Sequence, residues 1–324
     1  MLFHLLSLFF GLALLIWSAD FFVGAAVKLA RCTGVPPLIV GMLVVGFGTS
    51  TPELLVSAVS AFQGNPGLAL GNAYGSNVAN IGLILGLGAL VRPLRVHSGI
   101  LRRELPVLLG VTLLSWGLLT NGSISRIDAG ILLTVFFVAI LWLVRMSMGG
   151  GGDPLLQQVA VAANAAKPRS GGPGRIFAEV LVGLAGLIIS SRALVWGAVG
   201  IAEALGVGDL LIGLTVVALG TSLPELAATL AAVRKGEDDL ILGNIVGSNL
   251  FNTLGVVGLA GVIHPLELGA EVLRRDFPVV TVMTLAVFVV GVGIRGPGRI
   301  NRVEGACLVA AYIGYMVWLI LPVL

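Results

Sequence analysis

Ten long apolar runs follow one another along the sequence, separated by short charged or Gly/Pro-rich segments. A membrane-spanning helix needs about 17 to 25 predominantly apolar residues, so each run predicts one span. The predicted spans are residues 5–27, 36–62, 68–91, 104–120, 127–146, 176–202, 210–233, 240–263, 277–294 and 305–321. We therefore expect an all-α integral membrane protein with ten transmembrane helices.

The composition agrees with a chain whose main solvent is lipid. Apolar residues make up 57% of the chain, charged residues 11%, and the mean hydropathy is +1.06. A soluble domain carries about 25% charged residues, so a cytosolic enzyme, a secreted disulfide scaffold and a disordered chain are excluded. No Lys or Arg precedes the first run, which predicts a retained helix rather than a signal peptide. The expected location is the cell membrane.

The basic residues predict the orientation of the spans, because Lys and Arg in short loops mark the cytoplasmic side. With the N-terminus outside, the inside loops hold fifteen Lys and Arg residues. The outside loops then hold only Arg126, Arg274 and Arg275. We expect both termini outside and the segment 147–175 inside.

The two halves of the sequence are copies of each other. A shift of 172 positions aligns GFGTSTPELL at Gly46 with ALGTSLPELA at Ala218, and 22 of the 53 positions 34–86 match. Five spans is an odd number, so the second copy enters the membrane from the opposite side. The sequence predicts a first five-helix repeat at 1–146, a cytoplasmic Gly-rich linker at 147–175 and a second, inverted repeat at 176–324. Inverted repeats are typical of alternating-access transporters.

Each copy interrupts an apolar helix with Gly-Thr-Ser-x-Pro-Glu, which ends at Glu53 and at Glu225. Proline removes an amide donor and clashes with the carbonyl four residues back, here Gly48 and Gly220. A carboxylate at bilayer depth costs at least about 2.5 kcal/mol, and no basic residue occurs at matching places. Protons or bound cations remain as compensation, and hydroxyl, carbonyl and carboxylate oxygens suit Ca²⁺ and alkali cations.

Polar side chains recur in the third span of each copy. Ser76 and Asn80 are four apart and share a helix face, as do Ser248 and Asn252. They are candidate neutral ligands, and interhelical hydrogen bonding is the alternative. Asn77 and its equivalent, Asn249, face elsewhere, where they would cap or pack.

Other sites are poorly supported by the sequence. The basic residues form no stripe for nucleic acid, and Cys32 and Cys307 are isolated, which disfavours zinc and redox chemistry. The acidic run 237–239 lacks the spacing of an EF-hand. We expect no cofactor, no nucleic acid and no obligatory protein partner.

The duplicated GTSxPE and GNxxGSN motifs resemble the α-repeats of the Na⁺/Ca²⁺ exchanger family, and the prokaryotic ten-helix members most. The resemblance implies an antiporter whose substrates are Ca²⁺ and Na⁺, with Glu53 and Glu225 as central ligands. It also implies oxygen ligands at Thr49, Ser50, Thr221, Ser222, Gly46, Ala218, Ser76, Asn80, Ser248 and Asn252. Some relatives carry an aspartate where Asn80 or Asn252 stands, and here both residues are amides.

Other functions are compatible with the same sequence features. H⁺-driven or K⁺-dependent exchange would use the same acidic pair. A passive channel would conduct without a counter-ion, and an intramembrane hydrolase would need a water-activating acid pair but not a full duplication.

Overall fold

The computed structural model describes residues 1–96, 104–148, 173–206, 218–267, 272–292 and 298–321. Within these ranges the chain is helical apart from turns and four two-residue strands. The prediction of an all-α architecture is therefore confirmed. Residues 149–172 of the predicted linker and residues 210–217 of the seventh predicted span lie outside the described residues.

The elements of the first half follow the predicted spans, with two π-helical turns inside them. They are α1 Leu2–Thr33, α2 Pro37–Val40, a π-helical turn Gly41–Gly46, α3 Phe47–Thr49, α4 Thr51–Phe62, α5 Pro66–Val78, a π-helical turn Ala79–Leu85, α6 Gly86–Val91, β1 Leu94–Arg95, α7 Glu104–Leu119, β2 Ser123–Ile124 and α8 Arg126–Met148.

The described elements of the second half largely follow the same order. Its elements are α9 Pro173–Ala204, α10 Ala218–Thr221, α11 Leu223–Lys235, α12 Asp238–Leu250, a π-helical turn Phe251–Val256, α13 Val257–Ile263, β3 Leu266–Glu267, a π-helical turn Val272–Asp276, α14 Phe277–Val292, β4 Arg299–Ile300 and α15 Arg302–Ile320. The turns Ala79–Leu85 and Phe251–Val256 begin 172 positions apart, so the repeat extends to this irregularity of the backbone.

Proline, glycine and asparagine set several helix ends. Pro37 and Pro66 stand in the first turn of α2 and α5, where a missing amide proton costs nothing. Gly34 and Gly236 follow α1 and α11 with φ angles of 71° and 78°, a left-handed conformation that favours glycine. Asn301 begins α15 with a capping box.

Among the described residues, six helices are long and apolar enough to cross a membrane. A seventh is added if the bent pair Pro37–Thr49 and Thr51–Phe62, which meet at 44°, is one span. The total of ten spans stays a prediction, because α7 and α14 have only 16 residues each and the seventh span is partly outside the described ranges.

The third and eighth predicted spans form the centre of the molecule. In the most apolar windows of Gly67–Val91 and Asp238–Ile263, 72% and 83% of residues are buried, against 22% in Leu2–Thr33. The outer helices expose large apolar side chains such as Phe9 and Trp142. An exposed apolar surface of this extent is typical of lipid contact, so the polar groups are gathered in the interior.

Two short antiparallel strand pairs join the halves. β1 pairs with β4, and β2 pairs with β3. β1 and β4 lie in loops that the span count assigns to one face, and β2 and β3 lie in loops assigned to the other. The pairings therefore agree with the predicted alternation of loops.

The long helices α1 and α9 pack side by side and run antiparallel. Near one end, Lys28 Nζ lies 2.8 Å from Glu179 Oε2. Farther along, Ser7 Oγ donates to the Ala193 carbonyl at 2.7 Å, and the rings of His4 and Trp196 are 4.6 Å apart. This antiparallel arrangement is what an inverted duplication of one helix requires.

Glycines let the two repeats approach at backbone distance. A Cβ on Gly41 would stand 2.7 Å from the Leu240 carbonyl oxygen, and a Cβ on Gly247 would stand 2.6 Å from Met42 Cα. Small residues at helix crossings allow this approach in membranes. The second span is thereby fixed against the eighth.

We expect Gly247→Ala to destabilise the protein by about 1–3 kcal/mol, because the added methyl group meets the backbone of Met42 rather than a movable side chain. Gly314→Ala is the control, since no described atom lies within 4 Å of its Cβ position. Thermal unfolding in detergent measures both variants. Equal melting temperatures would contradict the backbone contact.

Ion pairs gather where α1 and the ends of α6 and α11 meet the start of α12. Lys235 Nζ lies 2.8 Å from Asp20 Oδ1, and Arg31 lies 3.7 Å from Glu237. Arg92 pairs with Asp238. Glu237 and Asp238 are thus each paired with a basic side chain.

Glu237 carries an energetic cost when ionised. Burial raises the pKa of its carboxyl above the ordinary value, Arg31 lowers it, and Asp239 and Asp238 raise it further. The net rise means that the folded state binds more protons than the unfolded state, so stability is lost as pH rises through the folded pKa.

We expect Glu237→Gln, which cannot ionise, to melt at a higher temperature than the wild type at about pH 7.5, with the difference vanishing near pH 4. The exposed Glu203 supplies the control, Glu203→Gln, which should melt like the wild type at both pH values. A Glu237→Gln melting temperature below that of the wild type at the higher pH would show that the Arg31 pair dominates.

Candidate cation-binding site

The two Gly-Thr-Ser-x-Pro-Glu motifs form matching breaks in the helices. α3 ends at Thr49 and α4 begins at Thr51, while Ser50 has φ −80° and ψ 9°. Ser222 has nearly the same conformation, with φ −88° and ψ 5°, between α10 and α11. Pro52 and Pro224 cannot donate a hydrogen bond to the carbonyl four residues back, so the preceding helix cannot continue through them. Each proline is tolerated in the first turn of the next helix, which therefore begins there.

The breaks bring the two glutamates into one polar cluster. Glu53 is 0% exposed and Glu225 is 1% exposed. Ser50 Oγ donates to Glu225 Oε1 at 2.8 Å, and Ser222 Oγ donates to Glu53 Oε1 at 3.3 Å. Each serine therefore bonds the glutamate of the other repeat, and the two carboxyl groups face a shared interior.

The predicted serines of the third and eighth spans lie in the same cluster. Ser76 Oγ donates to Glu53 Oε1 at 3.4 Å, and Ser222 Oγ lies 3.5 Å from Ser76 Oγ. Ser248 Oγ instead donates to the Gly46 carbonyl at 3.1 Å. The two halves thus differ in what their serines contact.

The predicted threonines are both buried. Thr49 Oγ1 lies 2.9 Å from the Val45 carbonyl, to which it donates, and 3.4 Å from Asn244 Oδ1. Thr221 occupies the equivalent position at the end of α10. Ala218 begins α10, and its side chain lies outside the described part of the structure.

The carbonyls freed by the two prolines bond to hydroxyl groups. Thr51 Oγ1 donates to the Gly48 carbonyl at 2.7 Å, and Ser191 Oγ donates to the Gly220 carbonyl at 2.7 Å. The position of each proline in the sequence predicts these carbonyls but not their donors. The Gly46 carbonyl, one of the predicted ligands, accepts from Ser50 N and from Ser248 Oγ.

Two asparagines that were outside the predicted ligand set hold the glutamate backbones. Asn72 Nδ2 donates to the Glu53 carbonyl and to Ser57 Oγ, both at 2.9 Å. Asn244 Nδ2 donates to the Glu225 carbonyl at 3.5 Å and to Thr229 Oγ1 at 3.0 Å. The signal was available in the sequence, because the 172-residue shift aligns Ser57 with Thr229, a hydroxyl with a hydroxyl.

Several oxygen atoms of the predicted ligands are buried and have no hydrogen-bond partner in the described residues. The atoms that are buried and lack a hydrogen-bond partner in the described residues include Glu53 Oε2, Glu225 Oε2, Asn80 Oδ1 and Asn252 Oδ1. All four belong to predicted ligands. Unpaired buried oxygens are rare and costly in proteins, so the donor set fits hard cations.

Within the described part of the chain, no basic side chain compensates the two carboxyl groups. Among the described residues, no Lys, Arg or His side chain is buried. Across the same ranges, no three His, Cys, Asp or Glu side chains gather as a group that could hold a metal ion. The cluster therefore combines two acids with neutral hydroxyl, amide and carbonyl groups.

Comparisons with known proteins indicate one family. The sodium/calcium exchanger protein family matches the chain over residues 3–145 and 176–321. The protein CaxA of Alkalimonas amylolytica is 45% identical over 305 residues, which cover 94% of this chain and 95% of CaxA. The sodium/calcium exchanger MaX1 of Methanosarcina acetivorans is 29% identical over 97% of both chains. The solved structure of the sodium-calcium exchanger NCX_Mj superposes with a TM-score of 0.84 at 29% identity, covering 98% of both chains.

Proposed function

The chain belongs to the sodium/calcium exchanger family, and we propose that it exchanges Ca²⁺ for Na⁺ across the cell membrane by alternating access. As a member of this family it is a multi-pass membrane transporter and not an enzyme, and the ions that it moves are substrates rather than cofactors. This membership excludes the intramembrane hydrolase.

One observation carries the proposal. The carboxyl groups of Glu53 and Glu225 come from opposite repeats, are buried, and are linked crosswise by Ser222 and Ser50. Each keeps one oxygen without a partner in the described residues. Two such groups in a low-dielectric interior repel each other strongly, and a cation between them removes that repulsion.

We assign the ligand roles by oxygen type. Glu53 and Glu225 supply the charge in the middle of the site. Neutral oxygens from hydroxyl, amide and backbone groups complete it at Thr49, Ser50, Thr221, Ser222, Gly46, Ala218, Ser76, Asn80, Ser248 and Asn252. Ca²⁺ takes six to eight oxygen ligands, which a mixture of two acids and several neutral groups can provide.

The same acids enforce exchange. Without a cation, the change between the two open states would have to enclose two ionised carboxylates unpaired, and their desolvation opposes that change. One Ca²⁺ balances two carboxylates, whereas three Na⁺ leave one excess positive charge. Exchange of three Na⁺ for one Ca²⁺ therefore moves net charge, and exchange of two protons for one Ca²⁺ does not.

The proposed architecture is ten spans in two inverted repeats, 1–146 and 176–324, joined by a cytoplasmic linker at 147–175, with both termini outside. The antiparallel packing of α1 on α9 supports the inversion. The strand pairs support the alternation of loops. The excess of Lys and Arg in one set of loops supports the orientation.

We expect purified protein in vesicles to take up ⁴⁵Ca²⁺ when only a Na⁺ gradient is imposed, and the rate to respond to membrane potential. Uptake driven by a pH gradient alone would contradict Na⁺ coupling and identify H⁺ exchange. A requirement for K⁺ would identify K⁺-dependent exchange, and flux without any counter-ion would identify a channel.

We expect Glu53→Gln and Glu225→Gln each to lower Na⁺-driven uptake by about 100-fold or more, because removing one member of a buried charged group costs about 3–5 kcal/mol. Glu203→Gln, at an exposed position outside the cluster, is the matched control and should transport normally. Uptake by either buried variant at the wild-type rate would overturn the ligand assignment.

A further inference from the structure

Four buried asparagines meet where the third and eighth spans cross. Asn77, Asn80, Asn249 and Asn252 are each 1% exposed. They lie at the ends of α5 and α12 and in the π-helical turns that follow, and each of these helices contacts the π-helical turn of the other repeat. From their positions in the sequence, Asn77 and Asn249 are expected to cap or pack rather than to bind an ion.

Two hydrogen bonds connect these residues across the repeats. Asn80 Nδ2 donates to Asn249 Oδ1 at 3.0 Å. Asn77 Nδ2 donates to Thr253 Oγ1 at 2.8 Å. The first bond involves a proposed ligand, and the second does not.

The direction of the Asn80 bond determines which end of its amide is available. A carboxamide has an acceptor oxygen and a donor NH₂ group on the same carbon. Because Asn249 accepts from the nitrogen of Asn80, the oxygen of Asn80 is the end without a partner in the described residues. Rotation of the Asn80 amide by half a turn would instead point its NH₂ group, the positive end of the amide dipole, at a cation.

We propose that Asn249 is a positioning residue, which holds the Asn80 amide so that Oδ1 faces the transported cation. This inference rests on the proposed function, since it takes Asn80 as a ligand. It assigns Asn249 no direct contact with the ion.

The described residues of the second repeat do not form the equivalent bond between asparagines. The counterpart bond would join Asn252 Nδ2 to Asn77 Oδ1, and both atoms are without a partner in the described residues. Asn77 is held by Thr253, whose equivalent in the first repeat is Ile81, a residue that cannot form this bond. Asn252 is therefore not held as Asn80 is, and Asn77 positions no ligand.

This asymmetry supplies a matched control. Asn249→Leu and Asn77→Leu each replace a buried asparagine at equivalent positions, remove one bond between repeats and introduce the same side chain. A purely structural role predicts similar effects for the two variants. A positioning role predicts that only Asn249→Leu weakens cation binding.

The test measures the dissociation constant of Ca²⁺ by equilibrium dialysis of detergent-purified protein, and the half-saturating Ca²⁺ concentration and maximal rate of Na⁺-driven uptake in vesicles. We expect Asn249→Leu to raise both concentrations by about tenfold, as for one buried polar group left mispaired. Asn77→Leu should change them by less than about twofold, although both variants lower the melting temperature. In an Asn80→Ala background, Asn249→Leu should have no further effect on Ca²⁺ affinity.

The inference is overturned if Asn249→Leu binds Ca²⁺ as well as Asn77→Leu does. It is also overturned if the effect of Asn249→Leu persists in full in the Asn80→Ala background. If the wild type binds no Ca²⁺, the proposed function fails together with the inference, whereas wild-type binding with an unaffected Asn249 variant defeats the inference alone. If Asn249→Leu does not fold, Asn249→Ala and Asn77→Ala allow the same comparison.

Discussion

The structure depends on one constraint: two buried acidic side chains share an interior in which the described residues supply no basic partner. In such a medium, like charges interact far more strongly than at a surface. The surrounding groups do not cancel this charge. Ser50 donates a hydrogen bond to the Glu225 carboxyl group and Ser222 donates one to that of Glu53. The other polar groups around the two acids are also neutral. The site is therefore stable with a proton or a cation bound and costly without either.

The broken helices solve a second problem that the acids create. A straight helix would use its backbone carbonyls internally and offer nothing to an ion, whereas an unprotected break at this depth would leave carbonyls unpaired. Here Thr51 and Ser191 bond the carbonyls of Gly48 and Gly220, while Asn72 and Asn244 hold the carbonyls of the glutamates. These hydrogen bonds hold the backbone around each break, while other oxygen atoms at its centre stay available to an ion.

Much of this arrangement could be predicted from the sequence. The lengths of the apolar runs predicted the helices. The 172-residue repeat aligned Glu53 with Glu225, and few functions explain why an acid is buried at both equivalent positions. The partners of individual polar atoms could not be predicted. Whether Ser248 bonds a carboxylate or the Gly46 carbonyl depends on how closely Gly46 approaches the eighth span, a distance set by the whole packing. The π-helical turns, which rotate Asn80 and Asn252 relative to a regular helix, also leave no simple pattern in the sequence.

The difference between Thr253 and Ile81 has a consequence for the transport cycle. In a carrier built from two inverted copies, each open state is obtained from the other when the copies exchange their conformations. Two identical copies would make those states equal in free energy. The asparagine contacts at the crossing differ between the copies, so the two open states of the proposed cycle are not related by symmetry at this crossing.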